Sequence, residues 1–249
     1  VEAVGKNVAR FQVGDDVFGT CDGAYAEYAR ARADRLVLKP ANVTFEQAAA
    51  VPTSGVVALQ AVRQHGNIKA GDRVLIVGAS GGVGLFAVQI ARSLGAEVSG
   101  VCSTSKMSLV QAAGAEHVID YTREDFMHNG QRYDVVVVIG GTRALSQLRG
   151  SLTPSGTLVL VGGEGGNSFF GGSMLRSIRA MVLSPFVRPQ QLRSMLGLVN
   201  LPDLQAINVL IERGQVTPIV DRTYSLPEAA DAVRTLQAGR AHGKQVITI

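Results

Sequence analysis

Eight consecutive residues, Val77-Gly78-Ala79-Ser80-Gly81-Gly82-Val83-Gly84, constrain the fold of this chain more than any other feature. They follow an apolar run at 74–77, bounded by Gly71-Asp72 and Gly78, which reads as a buried parallel strand. After them Val83, Phe86, Ala87, Ile90, Ala91 and Leu94 fall on one helical face, ended by Gly95. Small residues between a strand and a helix let backbone N–H groups approach a pyrophosphate at the helix N-terminus. The pattern departs from GxGxxG, because Ala79 holds the first glycine position while Gly81 and Gly84 hold the other two. A glycine-rich structural turn is the alternative reading. The strand before and the helix after supply the context the motif demands, so dinucleotide binding is expected.

The same alternation continues downstream. Strands are predicted at 98–101, 117–119, 134–139 and 157–161, with helices at 106–113 and 144–152. Strand and helix alternate at parallel-sheet spacing, which predicts an α/β fold with a doubly wound parallel (Rossmann) sheet. The first 40 residues differ. A turn within 13–19 and the alternation at 24–28 read as a short all-β piece. Thr44 then caps a helix with Glu46 in its first turn, Pro52 interrupts it, and a second helix carries Val57, Leu59, Ala61 and Val62. In the last third, a strand is predicted at 179–183 and helices at 190–199 and 203–213. Ser225-Leu226-Pro227-Glu228 is a capping box that starts a helix running to Gln237, and 245–249 closes as a strand.

Composition excludes several classes. With 46% hydrophobic and 18% charged residues the chain can bury a core, which rules out intrinsic disorder. Its 29 glycines follow no period and prolines number only 8, so they serve turns rather than collagen. The net charge of +4 comes from 24 cations against 20 anions without a basic run, so no nucleic-acid partner is expected. No apolar stretch approaches the ~20 residues of a membrane span, and no membrane partner is expected. Cys21 and Cys102 are too few for a disulfide framework, which suits a reduced cytoplasmic compartment. The chain opens at Val1 in mid-pattern and without Met, as a fragment lacking its upstream part would.

The residue that holds the adenine ribose is expected about 20 residues beyond the glycine loop. Cys102-Ser103-Thr104-Ser105-Lys106 stands there, with no carboxylate to accept a free 2′-hydroxyl. Hydroxyls with a lysine can instead hold a 2′-phosphate, so NADPH is expected over NADH. The other reading is a solvated helix N-cap with an exposed lysine.

Taken together the chain resembles the medium-chain dehydrogenase/reductases, and within them the zinc-independent quinone oxidoreductases related to zeta-crystallin. The resemblance rests on Ala48-Ala49-Ala50-Val51-Pro52-Thr53-Ser54-Gly55, Gly71-Asp72-Arg73-Val74-Leu75-Ile76 and the glycine loop. Leu94-Gly95-Ala96, Ala113-Gly114-Ala115, Val118-Ile119-Asp120-Tyr121 and Gly243-Lys244 extend it along nearly the whole chain. It implies an incomplete β-barrel-like catalytic domain over 1–52, a dinucleotide-binding domain over 53–189 and a return to the catalytic domain over 190–249.

It also implies site roles. Thr53 would stand by the nicotinamide, and Ser80, Gly82 and Val83, with Gly81 and Gly84 of the same loop, by the pyrophosphate. Ser103, Lys106 and Tyr121 would surround the 2′-phosphate, although Tyr121 can equally be a packing residue. Gly140 would pass the ribose, and Gly162, Gly163 and Glu164 would serve the carboxamide side unless 162–166 is simply a loop. Lys244 would reach the pyrophosphate. No metal is expected: the four-cysteine lobe of zinc-dependent relatives is missing, and the position of a later ligand aligns with Ala50. His65, His117, His128 and His242 are scattered.

The expected activity is hydride transfer from NADPH to a quinone or an α,β-unsaturated carbonyl, with no side chain singled out as catalytic. An alcohol/aldehyde dehydrogenase of the same superfamily and a non-enzymatic NADPH-binding protein are the alternatives. A homodimer is expected through the sheet edge at 179–183.

Overall fold

The computed structural model describes residues 1–127, 130–161, 189–238 and 243–249. The chain divides into two units, 1–57 with 198–249, and 58–197. The first unit opens with β1 (Val17–Gly19) and β2 (Leu36–Leu38), an antiparallel pair. Helix α1 (Phe45–Ala49) starts where predicted: Thr44 Oγ1 accepts from Gln47 N at 3.2 Å, and Thr44 N donates to Gln47 Oε1 at 3.0 Å. A new helix, α2 (Pro52–Leu59), begins at the proline, whose missing N–H costs nothing in a first turn. The alternation at 24–28 forms no strand, and Tyr25 and Tyr28 are exposed. A period of two makes a strand only where a neighbour offers a ladder, and among the described residues none pairs there.

The second unit carries the sheet. Its elements are β3 (Arg73–Val77), α3 (Gly82–Ser93), β4 (Glu97–Cys102), α4 (Met107–Ala112), β5 (His117–Asp120), β6 (Tyr133–Val138), α5 (Leu145–Gly150), β7 (Leu152–Val161) and β8 (Gln191–Met195). All six strands run parallel in the order β5-β4-β3-β6-β7-β8. Chain order therefore reverses between β3 and β6, the switch point at which such sheets bind ligands.

The central strands are apolar on both faces, as helix-covered parallel strands must be. Leu75, Ile76, Val136 and Val137 are fully buried, and α3 adds Leu85, Phe86 and Ile90. Each large side chain of this set contributes about 1.5–3 kcal/mol by leaving water. A core of Leu75, Tyr133, Val136, Leu148, Leu158 and Leu192 joins β3, β6, β7 and β8 on one side of the sheet.

A second element corrects the sequence reading. The helix predicted at 190–199 is absent, and residues 191–195 form the edge strand β8, in register with 157–161. Leu192 and Met195, both buried, stand three apart and mimic a helical face, but pairing with β7 satisfies the backbone and overrides that local signal. The strand predicted at 179–183 lies outside the described residues.

The chain then returns to the first unit with α6 (Leu201–Glu212), β9 (Val220–Ser225), α7 (Ala229–Gln237) and β10 (Lys244–Thr248). Asn200 caps α6 by accepting from Asp203 N at 2.9 Å. The capping box before α7 forms as predicted, with Ser225 N donating to Glu228 Oε2 at 2.9 Å. β9 and β10 pair in parallel.

Candidate cofactor-binding site

The glycine loop sits at the switch point. Gly78, directly after β3, takes a φ of +86°, a left-handed conformation that side chains resist. Ala79 holds the first position of the motif in the sequence, yet Gly78 makes the tight turn. Ala79 is buried instead, with its methyl against β4: a Cβ added at Gly100 would lie 3.1 Å from it. Gly78 N and Ala79 N both donate to Val101 O, at 3.2 and 3.0 Å, tying the turn to β4.

Gly81 is the N-cap of α3, with φ −78° and ψ 170°, and no side chain caps the helix. The N–H groups of Gly82, Val83 and Gly84 lie in the first turn, where no intrahelical acceptor precedes them. They carry the positive end of the helix dipole, and Ser80 and Val83 beside them are buried. Gly84 is needed for another reason. A Cβ there would lie 2.2 Å from Gly78 O and 2.6 Å from Ala79 O, so only glycine lets α3 rest on the turn.

Gly140 follows β6 across the switch point, and its N–H donates to Val77 O at 3.3 Å. A Cβ added to Gly140 would meet only Gly78 Cα, at 3.9 Å. The space in front of it is open to a ligand, while the backbones of the two strand ends touch.

On the other side of the loop, β4 and β5 end together, with Cys102 opposite Asp120. Ser103 and Lys106, both half-buried, follow β4 in one short turn, where Lys106 N donates to Ser103 O at 2.9 Å. Tyr121, more than half exposed, begins the loop after β5, and its N–H donates to Cys102 O at 3.1 Å. The structure thus brings the loops of Ser103, Lys106 and Tyr121 side by side.

Sequence reasoning missed the carboxylate between them. Asp120 is 3% exposed, and its carboxylate accepts from Thr104 Oγ1 and from Thr122 N and Oγ1, the latter two at 2.9 and 2.7 Å. The Thr104 hydroxyl, followed by the Thr122 donors and the Arg123 charge, holds this carboxyl below the ordinary carboxylate range. The available signal was the Asp-x-Thr sequence at 120–122, a pattern in which an aspartate bonds its own chain two residues on. Burial pushes the Cys102 thiol up, helped by the Asp120 charge, so it does not stand ready as a thiolate.

Two of the remaining expected positions belong to the first unit, and three lie outside the described residues. Thr53 is exposed in the first turn of α2, and Lys244 opens β10, half-buried; both belong to the first unit. Gly162, Gly163 and Glu164 lie outside the described residues, as do His128, His242 and Phe186. Among the described residues no three His, Cys, Asp or Glu side chains gather as a metal site would require. No helix among them is long and apolar enough to cross a membrane.

A glycine turn and helix N-terminus at the switch point of a six-stranded parallel sheet define a dinucleotide-binding α/β protein. Comparison with known proteins narrows the class. A family model described as a zinc-binding dehydrogenase matches residues 113–247. The chain is 34% identical to the quinone oxidoreductase of Pseudomonas aeruginosa, over 99% of its own length and 78% of that protein's. It is 30% identical to the 2-methylene-furan-3-one reductase of Solanum lycopersicum, over 99% of its own length but only 61% of that protein's, under two thirds. Among solved structures, the quinone oxidoreductase of Coxiella burnetii superposes with a TM-score of 0.84 at 29% identity, covering 99% of this chain and 75% of that one. The chain belongs to the medium-chain dehydrogenase/reductases, in the quinone oxidoreductase branch of these nicotinamide-dependent oxidoreductases.

Proposed function

We propose that the protein transfers hydride from NADPH to a quinone or an α,β-unsaturated carbonyl, without a metal ion. The observation that carries the reading is the adenosine end of the site. Ser103, Lys106 and Tyr121 stand on adjacent loops, and the Asp120 carboxylate beside them already accepts from hydroxyl and amide donors. The nearby quinone oxidoreductase and furanone reductase relatives support the acceptor class.

The residues fit a dinucleotide. The open space before Gly140 suits a ribose, and the first-turn N–H groups of α3 suit a pyrophosphate. Ser80, Gly81, Gly82 and Val83 would hold the pyrophosphate, and Ser103, Lys106 and Tyr121 the 2′-phosphate. The family resemblance assigns Thr53 to the nicotinamide, Lys244 to the pyrophosphate, and Gly162, Gly163 and Glu164 to the carboxamide side. The bound nicotinamide supplies the hydride, and the protein supplies orientation and a site shielded from water. A conjugated acceptor delocalises the charge it receives, so no Lewis acid is required and the proton can come from solvent. The reading includes a cytoplasmic location, with Cys21 and Cys102 both free thiols, and a homodimer.

Titration with each cofactor tests the reading. NADPH should bind more tightly than NADH, and Lys106→Ala should cost NADPH about 1.5–3 kcal/mol, the scale of a charge-assisted hydrogen bond, while sparing NADH. Equal losses for both cofactors would remove Lys106 from the phosphate site. Turnover that disappears after chelation and returns with zinc would overturn the metal-free mechanism.

A further inference from the structure

Asp120 is a buried carboxylate that the hydride-transfer reading does not use, and its partners link two loops. Its Oδ2 accepts from Thr104 Oγ1, in the turn after β4, and lies 3.6 Å from Arg123 Nε. Its Oδ1 accepts from Thr122 N and Oγ1, at 2.9 and 2.7 Å, in the loop after β5. The two threonine hydroxyls are themselves 3.2 Å apart. A carboxylate has about four lone-pair sites, and three of them are taken by these hydrogen bonds, with the Arg123 guanidinium beside Oδ2. Asp120 is therefore largely committed to partners within the protein, and its charge is offset by hydroxyl donors and Arg123.

The position matters because of what the loops carry. The turn held through Thr104 bears Ser103 and Lys106, and the loop held through Thr122 bears Tyr121. We propose that Asp120 is a positioning residue for the cofactor's 2′-phosphate: by tying Thr104 to Thr122 it holds the Ser103–Lys106 turn and the Tyr121 loop at a fixed separation before the cofactor arrives. The inference rests on the NADPH reading above. Binding a phosphate between two free loops requires ordering both, and a tie already made in the free protein removes that cost. A 2′-hydroxyl makes little use of the arrangement, so the tie acts on NADPH and scarcely on NADH.

Two measurements on the same variants decide the matter. Asp120→Ala should weaken NADPH binding by about tenfold or more, the effect of losing a charge-assisted bond, and change NADH binding by less than about twofold. Amide hydrogen exchange in the cofactor-free variant should accelerate at 103–106 and 121–123 and stay unchanged in α3. Asp120→Asn retains an acceptor oxygen and should recover part of the NADPH affinity. Thr104→Val cuts only the tie to the β4 turn, leaves Thr122 and Arg123 on the carboxylate, and should reproduce the selective loss should Asp120→Ala fail to fold. Equal loss of both cofactors, or exchange at both loops unchanged from the unsubstituted protein, would overturn the positioning role. A larger loss of NADH than of NADPH would make Asp120 a ribose ligand instead. Unsubstituted protein that binds NADH as tightly as NADPH would overturn the cofactor reading itself, a result read before any variant is made.

Discussion

Replacing Gly84 by alanine tests how the cofactor loop is built. The added Cβ would lie 2.2 Å from Gly78 O and 2.6 Å from Ala79 O. Ordinary carbon–oxygen contacts are about 3.3–3.6 Å, so the first turn of α3 must retreat from the glycine loop by about 1 Å. Gly78 O cannot yield cheaply, because it accepts from Gly81 N and the N–H of its own peptide, that of Ala79, is bonded to Val101 O. Overpacking of this kind costs about 1–3 kcal/mol, and the upper end applies where the obstacle is backbone. Alanine's better helix propensity returns up to about 1 kcal/mol. The net loss of ~2 kcal/mol corresponds to a melting temperature lower by about 4–8 °C for a chain of this size. Thermal and urea unfolding of the cofactor-free protein measure it. A Gly84→Ala variant as stable as the unsubstituted protein would refute the close approach of α3 to the turn.

Gly81→Val should behave in the opposite way: φ at Gly81 is −78°, open to any residue, so the fold should persist while the branched side chain blocks the pyrophosphate and cofactor fluorescence titration shows no binding. Asp120 predicts part of the acid limb. Its carboxyl is lowered from 3.8 in the folded state, so its stabilisation is complete above that value and lost as pH falls through the lower folded one. Asp120→Asn should therefore lose less stability than the unsubstituted protein as pH falls below about 4, followed by circular dichroism. The homodimer expected through 179–183 should appear in light scattering as a dimeric mass; a monomeric mass at micromolar concentration would contradict that assembly.

What the sequence disclosed, and what it hid, follows the range of the interactions. The strand at 73–77, the helix at 82–93, the cap at Thr44 and the capping box at Ser225 rest on neighbours within a few residues, and each was legible. So was the parallel sheet, because continuous apolar runs such as 135–138 suit strands covered on both faces. The edge strand β8 was hidden because its pairing with β7 spans some 30 residues, while its buried Leu192 and Met195 carry a helical spacing. Asp120 was quoted as part of a family segment but given no role, because its partner Thr104 lies 16 residues away and meets it only through the β4–β5 register. The motif's spacing puts Ala79 at its first position, whereas the left-handed turn falls on Gly78. The motif is defined by spacing, whereas φ, which singles out Gly78, is set by how the turn meets β4.

The central claim is that this chain reduces conjugated acceptors with a nicotinamide cofactor and no metal. Consumption of NADPH, followed by its absorbance with a metal chelator present against a panel of quinones, enones, saturated aldehydes and alcohols, tests it most directly. The account predicts turnover with quinones or enones, unchanged by the chelator, and little with saturated aldehydes. Turnover confined to alcohols and aldehydes and abolished by the chelator would contradict it, as would tight NADPH binding with no turnover of any acceptor.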